Sequence, residues 1–433
     1  MSFNPLEEKG IELEEQLRNW KDVVKCPFNK YEVDNYSRVR QIFMNGIEVE
    51  AWGFKNLFSR VCNDIDDVKL ISQIRRIEDA QQTTINWLAP SDQSVLETTL
   101  GYEQVAVDLT AYLAQNEPDN YVKETYDFGL LEDFDHLYRY SQWAYIEEGV
   151  EPDKILHNKT DVIVGRPTQH HHNCNAMRVR KHYDKYKTSP KTKVNILTLV
   201  SAEQQTHNYY AEHGFNYGNK VLRGLYAEIK DVEEEHVTMY QSLIDPNETL
   251  YEKLLLHEFC EVCNYYTCLQ DETDTRLKNI WEMFLNFELA HLQIAAKLFE
   301  KHEKRSPEEI IGSEIIIPSS FKSQKTYVTS ILNSETDKRL ADNYGYANIE
   351  NLPENWAGHA VQKKQSESGS PSENTIRIIS QTKGRDIVIA EDSLANKELE
   401  LLERGIDKKS MAPDTVTAEE LGEIIKKYND NCK

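Results

Sequence analysis

The sequence predicts a mainly α-helical protein: two homologous four-helix bundles, or one eight-helix assembly of four hairpins, followed by a small α/β C-terminal tail. Three observations carry this expectation. Residues 39–304 are poor in Pro and rich in Leu, Glu, Tyr and Lys, with apolar residues recurring at three and four, the period of amphipathic helix. Breakers punctuate the stretch at Asn63-Asp64, Ala89-Pro90-Ser91-Asp92, residues 115–119, residues 214–219, Asp245-Pro246-Asn247 and residues 270–274, leaving pieces of about 20 to 30 residues that suit a bundle. The pattern also repeats. Leu88, Glu97, Leu100, Glu103, Val107, Gln115 and Glu117 recur 155 positions later as Leu243, Glu252, Leu255, Glu258, Val262, Gln270 and Glu272.

A second offset, of 55, lies inside each half: Glu48, Glu78 and Gln81 become Glu103, Asp133 and His136, and Glu203, Glu233 and His236 become Glu258, Glu288 and His291. Each hairpin thus carries a carboxylate, a second carboxylate 30 positions on, and a further polar residue three beyond that. Because acidic residues are common here, the carboxylates alone would not establish a repeat. His at the third position in three hairpins of four, with apolar and turn residues in the same register, does.

In chain order this reads as an N-terminal extension (1–38), a first helical half (39–148), a connecting segment (149–197), a second helical half (198–305) and a C-terminal extension (306–433). In the last, Glu314-Ile315-Ile316-Ile317-Pro318 reads as a short strand, residues 362–374 as a polar Ser/Gly-rich linker, and residues 375–392 as a β-hairpin around Thr382-Lys383-Gly384-Arg385. Residues 417–428 read as a terminal helix capped by Thr415 or Thr417.

The 433 residues hold 50 Lys plus Arg against 73 Asp plus Glu, a formal charge of −23, with 39% hydrophobic residues. That is enough for a buried core and about two or three domains. Such a negative charge argues against nucleic acid or an anionic membrane as partner and favours metal cations or neutral small molecules. The N-terminal stretch lacks a basic region followed by an apolar one, and no apolar run approaches the roughly 18 residues of a spanning helix. Seven cysteines form an odd, sparse set. A reduced, cytoplasmic setting is the expectation.

The spacing has a chemical meaning. Residues i and i+3 share a helical face, so Glu233 with His236, and Glu288 with His291, each aim an oxygen and a nitrogen at one point. The gap of 30 puts Glu203 and Glu233 symmetrically about a turn near residue 218, and Glu258 and Glu288 about one near 273. Four carboxylates and two imidazoles converging in a bundle make a site for two transition-metal ions. Left without cations, buried carboxylates would be costly. The first half supplies Glu48, Glu78, Glu103, Asp133 and His136, a weaker set, since Gln81 stands where a His would and Glu132 competes with Asp133.

These residues resemble a family. The second half looks like the ferritin-like superfamily, and Ala202-Glu203-Gln204-Gln205-Thr206-His207-Asn208-Tyr209-Tyr210 is similar to the first-helix pattern E-x-Q-x-x-N-x-Y of rubrerythrins. The resemblance covers residues 198–302 well and 40–147 weakly, as for a tandem duplication. It implies a pair of iron ions, or manganese in their place, per intact site. Glu203 and Glu258 would lie on single-carboxylate helices, and Glu233-x-x-His236 and Glu288-x-x-His291 on paired-ligand helices. Glu261, one turn after Glu258, matches the extra carboxylate of the third helix. Peroxidase or ferroxidase chemistry is implied, with oxygenation of a small organic substrate as another job. Dioxygen or peroxide and an external electron donor would then be partners, and a homo-oligomer is compatible.

Two departures stand out. Such bundles join their second and third helices by a long crossover, whereas Glu233 and Glu258 are 25 residues apart across a tight Asp245-Pro246-Asn247 turn, which implies antiparallel neighbours. Alternatively residues 149–198 serve as the crossover, placing Glu103, Asp133 and His136 opposite Glu203, Glu233 and His236. The sequence leaves both pairings open. A rubredoxin-type iron site is excluded, because Cys260-x-x-Cys263 has no second C-x-x-C partner.

Cys260, Cys263 and Cys268 share a helix with Glu258 and Glu261 and read as small buried hydrophobes rather than a redox pair. His170-His171-His172 reads as an exposed loop. Of the 23 tyrosines, Tyr209, Tyr210, Tyr240 and Tyr265 fall near the ligands. Tyr209 and Glu261 are the candidates for reacting side chains beyond the ligands themselves. The function expected is a di-metal oxidoreductase using dioxygen or peroxide, and the rival is a metal-binding or vestigial helical scaffold or interaction protein without catalysis.

Overall fold

Four of the six breakers contain the residue that caps the next helix, and at the other two that residue stands two positions further on. The structure, a computed structural model, describes residues 3–162, 173–335, 338–340, 346–348 and 352–383. Among them are eight long helices: α1 (Asn35–Val61), α2 (Ile65–Asn86), α3 (Val95–Asn116), α4 (Asn120–Glu148), α5 (Pro190–His213), α6 (Lys220–Gln241), α7 (Leu250–Asp271) and α8 (Thr275–Glu303). Side chains of Asp34, Asp64, Ser94, Asp119, Ser189, Asn219, Thr249 and Asp274 accept from the first-turn amides of α1 to α8 in that order. These donors would otherwise lack intrahelical partners. Ser94 with Glu97 and Thr249 with Glu252 form full capping boxes, 155 residues apart like the rest of the repeat. Gly149, at φ 68°, ends α4 in the left-handed conformation that glycine adopts without strain.

Consecutive helices pair as four hairpins, and the hairpins assemble in a nested order. The first (α1, α2) packs against the fourth (α7, α8) as bundle I, and the second (α3, α4) against the third (α5, α6) as bundle II. Residues 149–189 are therefore the crossover of bundle II, and bundle II itself stands between the two halves of bundle I. The bundles meet along α1 and α5. Asn45 Nδ2 donates to Gln205 Oε1 over 2.9 Å, and a Cβ on Gly46 would come within 2.9 Å of the Ser201 carbonyl oxygen. Glycine is what lets the two backbones approach.

The ends differ in places from expectation. α1 begins at Asn35, and the preceding extension is bound to bundle I: Phe28 is buried, its N–H donates to the Leu88 carbonyl, and Gln293 Nε2 donates to the Leu6 carbonyl. Residues 314–318 take up no strand. The expected linker at 362–374 shrinks to residues 366–370, and the described part of the expected hairpin is helix: α10 (Ala357–Gln365) and α11 (Pro371–Lys383) follow α9 (Lys325–Glu335). α11 lays Ile378 and Ile379 into the core of bundle II, and that burial favours a helix over the alternation read from the sequence. One antiparallel pair, β1 (Lys338–Leu340) with β2 (Tyr346–Asn348), lies between α9 and α10. The rest of the expected hairpin, the expected terminal helix at 417–428 and His170-His171-His172 lie outside the described residues. No helix among the described residues is long and apolar enough to cross a membrane.

Candidate metal centres

Each bundle brings one copy of the ligand pattern from each of its two hairpins to a common height. In bundle II, α3 supplies Glu103, α4 Asp133 and His136, α5 Glu203, and α6 Glu233 and His236. None is more than 1% exposed. Ligand atoms of Glu103, His136 and Glu233 lie within 4.8 Å of one another, as do those of Asp133, Glu203 and His236. His136 Nδ1 lies 3.0 Å from Glu233 Oε1. His236 Nδ1 faces Asp133 at 3.6 Å and Glu203 and Glu233 at 3.5 Å each, distances beyond a good hydrogen bond.

Eight atoms of these six side chains have no hydrogen-bond partner among the described residues: Glu103 Oε2, both oxygens of Asp133 and of Glu203, Glu233 Oε2, His136 Nε2 and His236 Nδ1. Each bare polar atom costs roughly 1–3 kcal/mol. Burial drives the Glu103 and Glu203 carboxyls well above the usual range and Asp133 to about 7, with neighbouring carboxylates adding to the first two. For Glu233 burial is outweighed by His136 and His236, which hold it low. His236 is raised because Glu203, Glu132 and Glu233 outweigh its own desolvation. Four carboxylates in a dry space resist joint ionisation, and cations would relieve that resistance.

Buried groups hold this set from outside. His236 Nε2 meets Glu132 Oε2 at 2.7 Å, which leaves Nδ1 to face the carboxylates. Arg178, in the crossover, donates from Nη2 to Glu132 Oε1 over 3.1 Å and from Nε to Glu235. Both carboxylates keep its guanidinium protonated against burial. Tyr210 donates its hydroxyl to Glu103 Oε1.

Bundle I gathers Glu48 from α1, Glu78 and Gln81 from α2, Glu258 and Glu261 from α7, and Glu288 and His291 from α8, all buried. Glu78, Glu258, Glu288 and His291 form one close group, and Glu48, Glu261 and Glu288 another. His291 Nδ1 lies 3.0 Å from Glu288 Oε2, and its Nε2 lies 2.8 Å from Gln16 Oε1 of the N-terminal extension. A buried lysine, Lys55, enters from α1. Its Nζ lies 3.0 Å from Glu258 Oε1 and from Glu261 Oε1 and is also paired with Glu78. Those carboxylates outweigh desolvation and raise the ammonium pKa, while burial lifts Glu78 to about 7 and Glu48 well above its usual range.

The hexad expected from the second half, Glu203, Glu233, His236, Glu258, Glu288 and His291, is thus divided. The first three belong to bundle II and the last three to bundle I, because the tight turn at Asp245-Pro246-Asn247 connects the bundles instead of two helices of one site. Glu103, Asp133 and His136 complete bundle II, and Glu48 and Glu78 complete bundle I. Tyr209 is turned away from the carboxylates. Its hydroxyl donates to the Val95 carbonyl over 3.2 Å and its ring stacks on Tyr102 at 4.2 Å, whereas the neighbouring Tyr210 reaches Glu103 in bundle II and Tyr265 reaches Glu48 in bundle I. Glu261 sits in bundle I as a partner of Lys55. Cys260, Cys263 and Cys268 are buried and free, and burial raises all three thiols, Cys260 to about 12, which disfavours thiolate chemistry.

Sequence reasoning missed Lys55, Arg178 and Gln16. For Lys55 a signal existed: it stands two helical turns after Glu48, on the same face. Arg178 and Gln16 lie in irregular segments, where no period points inward. No known family model, curated protein or solved structure matches the chain.

Proposed function

We propose that bundle II is a two-metal centre of a ferritin-like oxidoreductase, holding a pair of iron ions, or manganese in their place, through Glu103, Asp133, His136, Glu203, Glu233 and His236. The observation that carries this reading is the set of eight bare polar atoms on six buried side chains whose ligand atoms gather in two close groups of three. The donor set fits: carboxylate oxygens suit hard divalent ions, imidazole suits iron and manganese, and four carboxylates balance two divalent charges. Such a pair, once bound, would supply reducing equivalents to dioxygen or peroxide.

The chain's own residues have separate tasks. Glu132 holds the His236 ring with Nδ1 inward, and Arg178 keeps Glu132 in place. Tyr210 gives Glu103 one hydrogen bond, leaving its second oxygen free to bind. The closed apolar wall of bundle II, including α11, excludes bulk water from the carboxylates. An external donor would return electrons, since the chain carries no rubredoxin-type cysteine set.

Metal analysis after anaerobic loading with ferrous iron tests the proposal. About two ions per chain are expected, mostly lost in Glu203→Ala with His236→Ala. Reduced, loaded protein should be reoxidised by peroxide in a stopped-flow absorbance experiment. Binding of less than about half an ion per chain would leave the vestigial scaffold as the better reading.

A further inference from the structure

Besides Glu78 in the place of Asp133, bundle I departs from bundle II at three positions, and each brings a further polar group of the chain itself to the carboxylates. Seven residues after the first carboxylate of the four hairpins stand Lys55, Thr110, Tyr210 and Tyr265. The two tyrosines are equivalent: Tyr210 donates to Glu103 across bundle II, and Tyr265 donates to Glu48 across bundle I. The other two differ. Thr110 is short and neutral, and its Oγ1 has no hydrogen-bond partner among the described residues, so at this place α3 brings no charge to bundle II. From the matching place on α1, Lys55 extends to Glu78, Glu258 and Glu261 with no exposed surface. Three residues after the same carboxylates stand Ala51, Ala106, Thr206 and Glu261, so the single added acid is one that meets the single added base. Gln81 replaces the histidine of the other hairpins, and its amide donates over 3.1 Å to Glu48 Oε1 and 2.7 Å to Glu288 Oε1.

We propose that bundle I is a cation site closed by its own chain: the Lys55 ammonium and the Gln81 amide stand where two metal ions would bridge the carboxylates. The protein then has one metal-binding bundle and one whose carboxylates already hold a cation of the chain itself. An ammonium carries one charge on a compact head. Here it donates a hydrogen bond to Glu261 and lies in ion-pair distance of Glu78 and Glu258, whose oxygens have no other hydrogen-bond partner among the described residues. A divalent ion would have to expel a buried cation from the carboxylates it needs. The amide likewise joins Glu48 to Glu288, the two oxygens a second ion would bridge. His291 is engaged at both nitrogens, by Glu288 and Gln16. Beneath Lys55 lies a latent site for a divalent transition-metal ion, formed by Glu78, Glu258, Glu288 and His291.

Manganese(II) bound per chain, measured by equilibrium dialysis, tests this on the full-length protein. Lys55→Thr, which copies bundle II, should bind about one ion more than wild type, and adding His291→Ala should abolish that gain. Thr110→Lys should weaken manganese binding in bundle II at least about tenfold with unchanged far-ultraviolet circular dichroism. Two results would overturn the proposal: wild-type manganese released by Glu258→Gln or His291→Ala, or a folded Lys55→Thr protein that binds no more than wild type. If the Lys55 variant does not fold, anomalous diffraction at the manganese edge from soaked wild-type crystals decides, because a peak in bundle I refutes closure and its absence there supports it. The inference is independent of the reading of bundle II. Wild type binding no manganese, beside a His291-dependent gain in Lys55→Thr, would sink that reading and leave this one standing.

Discussion

Two buried carboxylates, Glu132 and Glu235, accept hydrogen bonds from the Arg178 guanidinium. Replacing Arg178 by Met removes its ion pairs with Glu132 and Glu235, and Glu132 is the group that orients His236. Outer partners of this kind change metal affinity by about 10- to 100-fold. Arg178→Met should therefore weaken manganese binding within that range, with Glu132→Gln smaller because an amide still meets the imidazole. Equal affinity in Arg178→Met and wild type, by equilibrium dialysis, would show that His236 needs no such support. Asp108 offers a cleaner pH test. Burial raises its carboxyl to about 7, and Thr160 donates one hydrogen bond to Oδ2 over 2.9 Å. The folded chain thus holds a proton that the unfolded chain releases near pH 4. The stabilisation is full below that pH and is lost as pH rises toward 7, by up to about 1.4 kcal/mol per pH unit. Asp108→Asn lacks this slope, so its urea midpoint relative to wild type should climb from pH 5 to 7 and then level off. Parallel curves would mean that Asp108 is already ionised in the folded protein.

At the scale of elements, the helices were readable because their ends are written in local chemistry. Ser94 and Thr249 each close a capping box, and removing such a hydroxyl costs about 1 kcal/mol. Ser94 Oγ also donates to Glu148 Oε2 at the far end of α4, so Ser94→Ala should lower the urea midpoint more than Thr249→Ala does. The reverse order would mean that the Glu148 contact contributes nothing. The tail was misread for the opposite reason. Residues 375–383 alternate like a strand, but Ile378 and Ile379 are fully buried against α6 and Thr375 accepts from Trp143 Nε1 over 3.2 Å. These long-range contacts leave no local signature, and they override propensity. The same limit applied to Gln16 and Arg178, which reach the sites from segments without a period.

For the whole molecule, the repeat showed that four equivalent hairpins exist and what each carries, but equivalence is what hides their pairing: identical patterns fit any partner. Only the long stretch between α4 and α5 hinted that the second and third hairpins share a bundle. The nested order has a consequence for how the chain acquires its shape during synthesis. The four ligand-bearing helices of bundle II come from one continuous stretch, Val95 to Gln241, with α11 added to their wall later, whereas bundle I joins the first hairpin made to the last, and closing so distant a contact is slow. Pulse-labelled hydrogen exchange during refolding should protect amides of α3 to α6 before those of α7 and α8. Simultaneous protection would mean that the two bundles nucleate together. Through that delay Glu78 is not without a counter-ion, because Lys55 belongs to the same hairpin and is already in reach. The half that must wait for its partner brings a permanent charge, covalently attached. The half that closes promptly can leave its cation to be collected from solution.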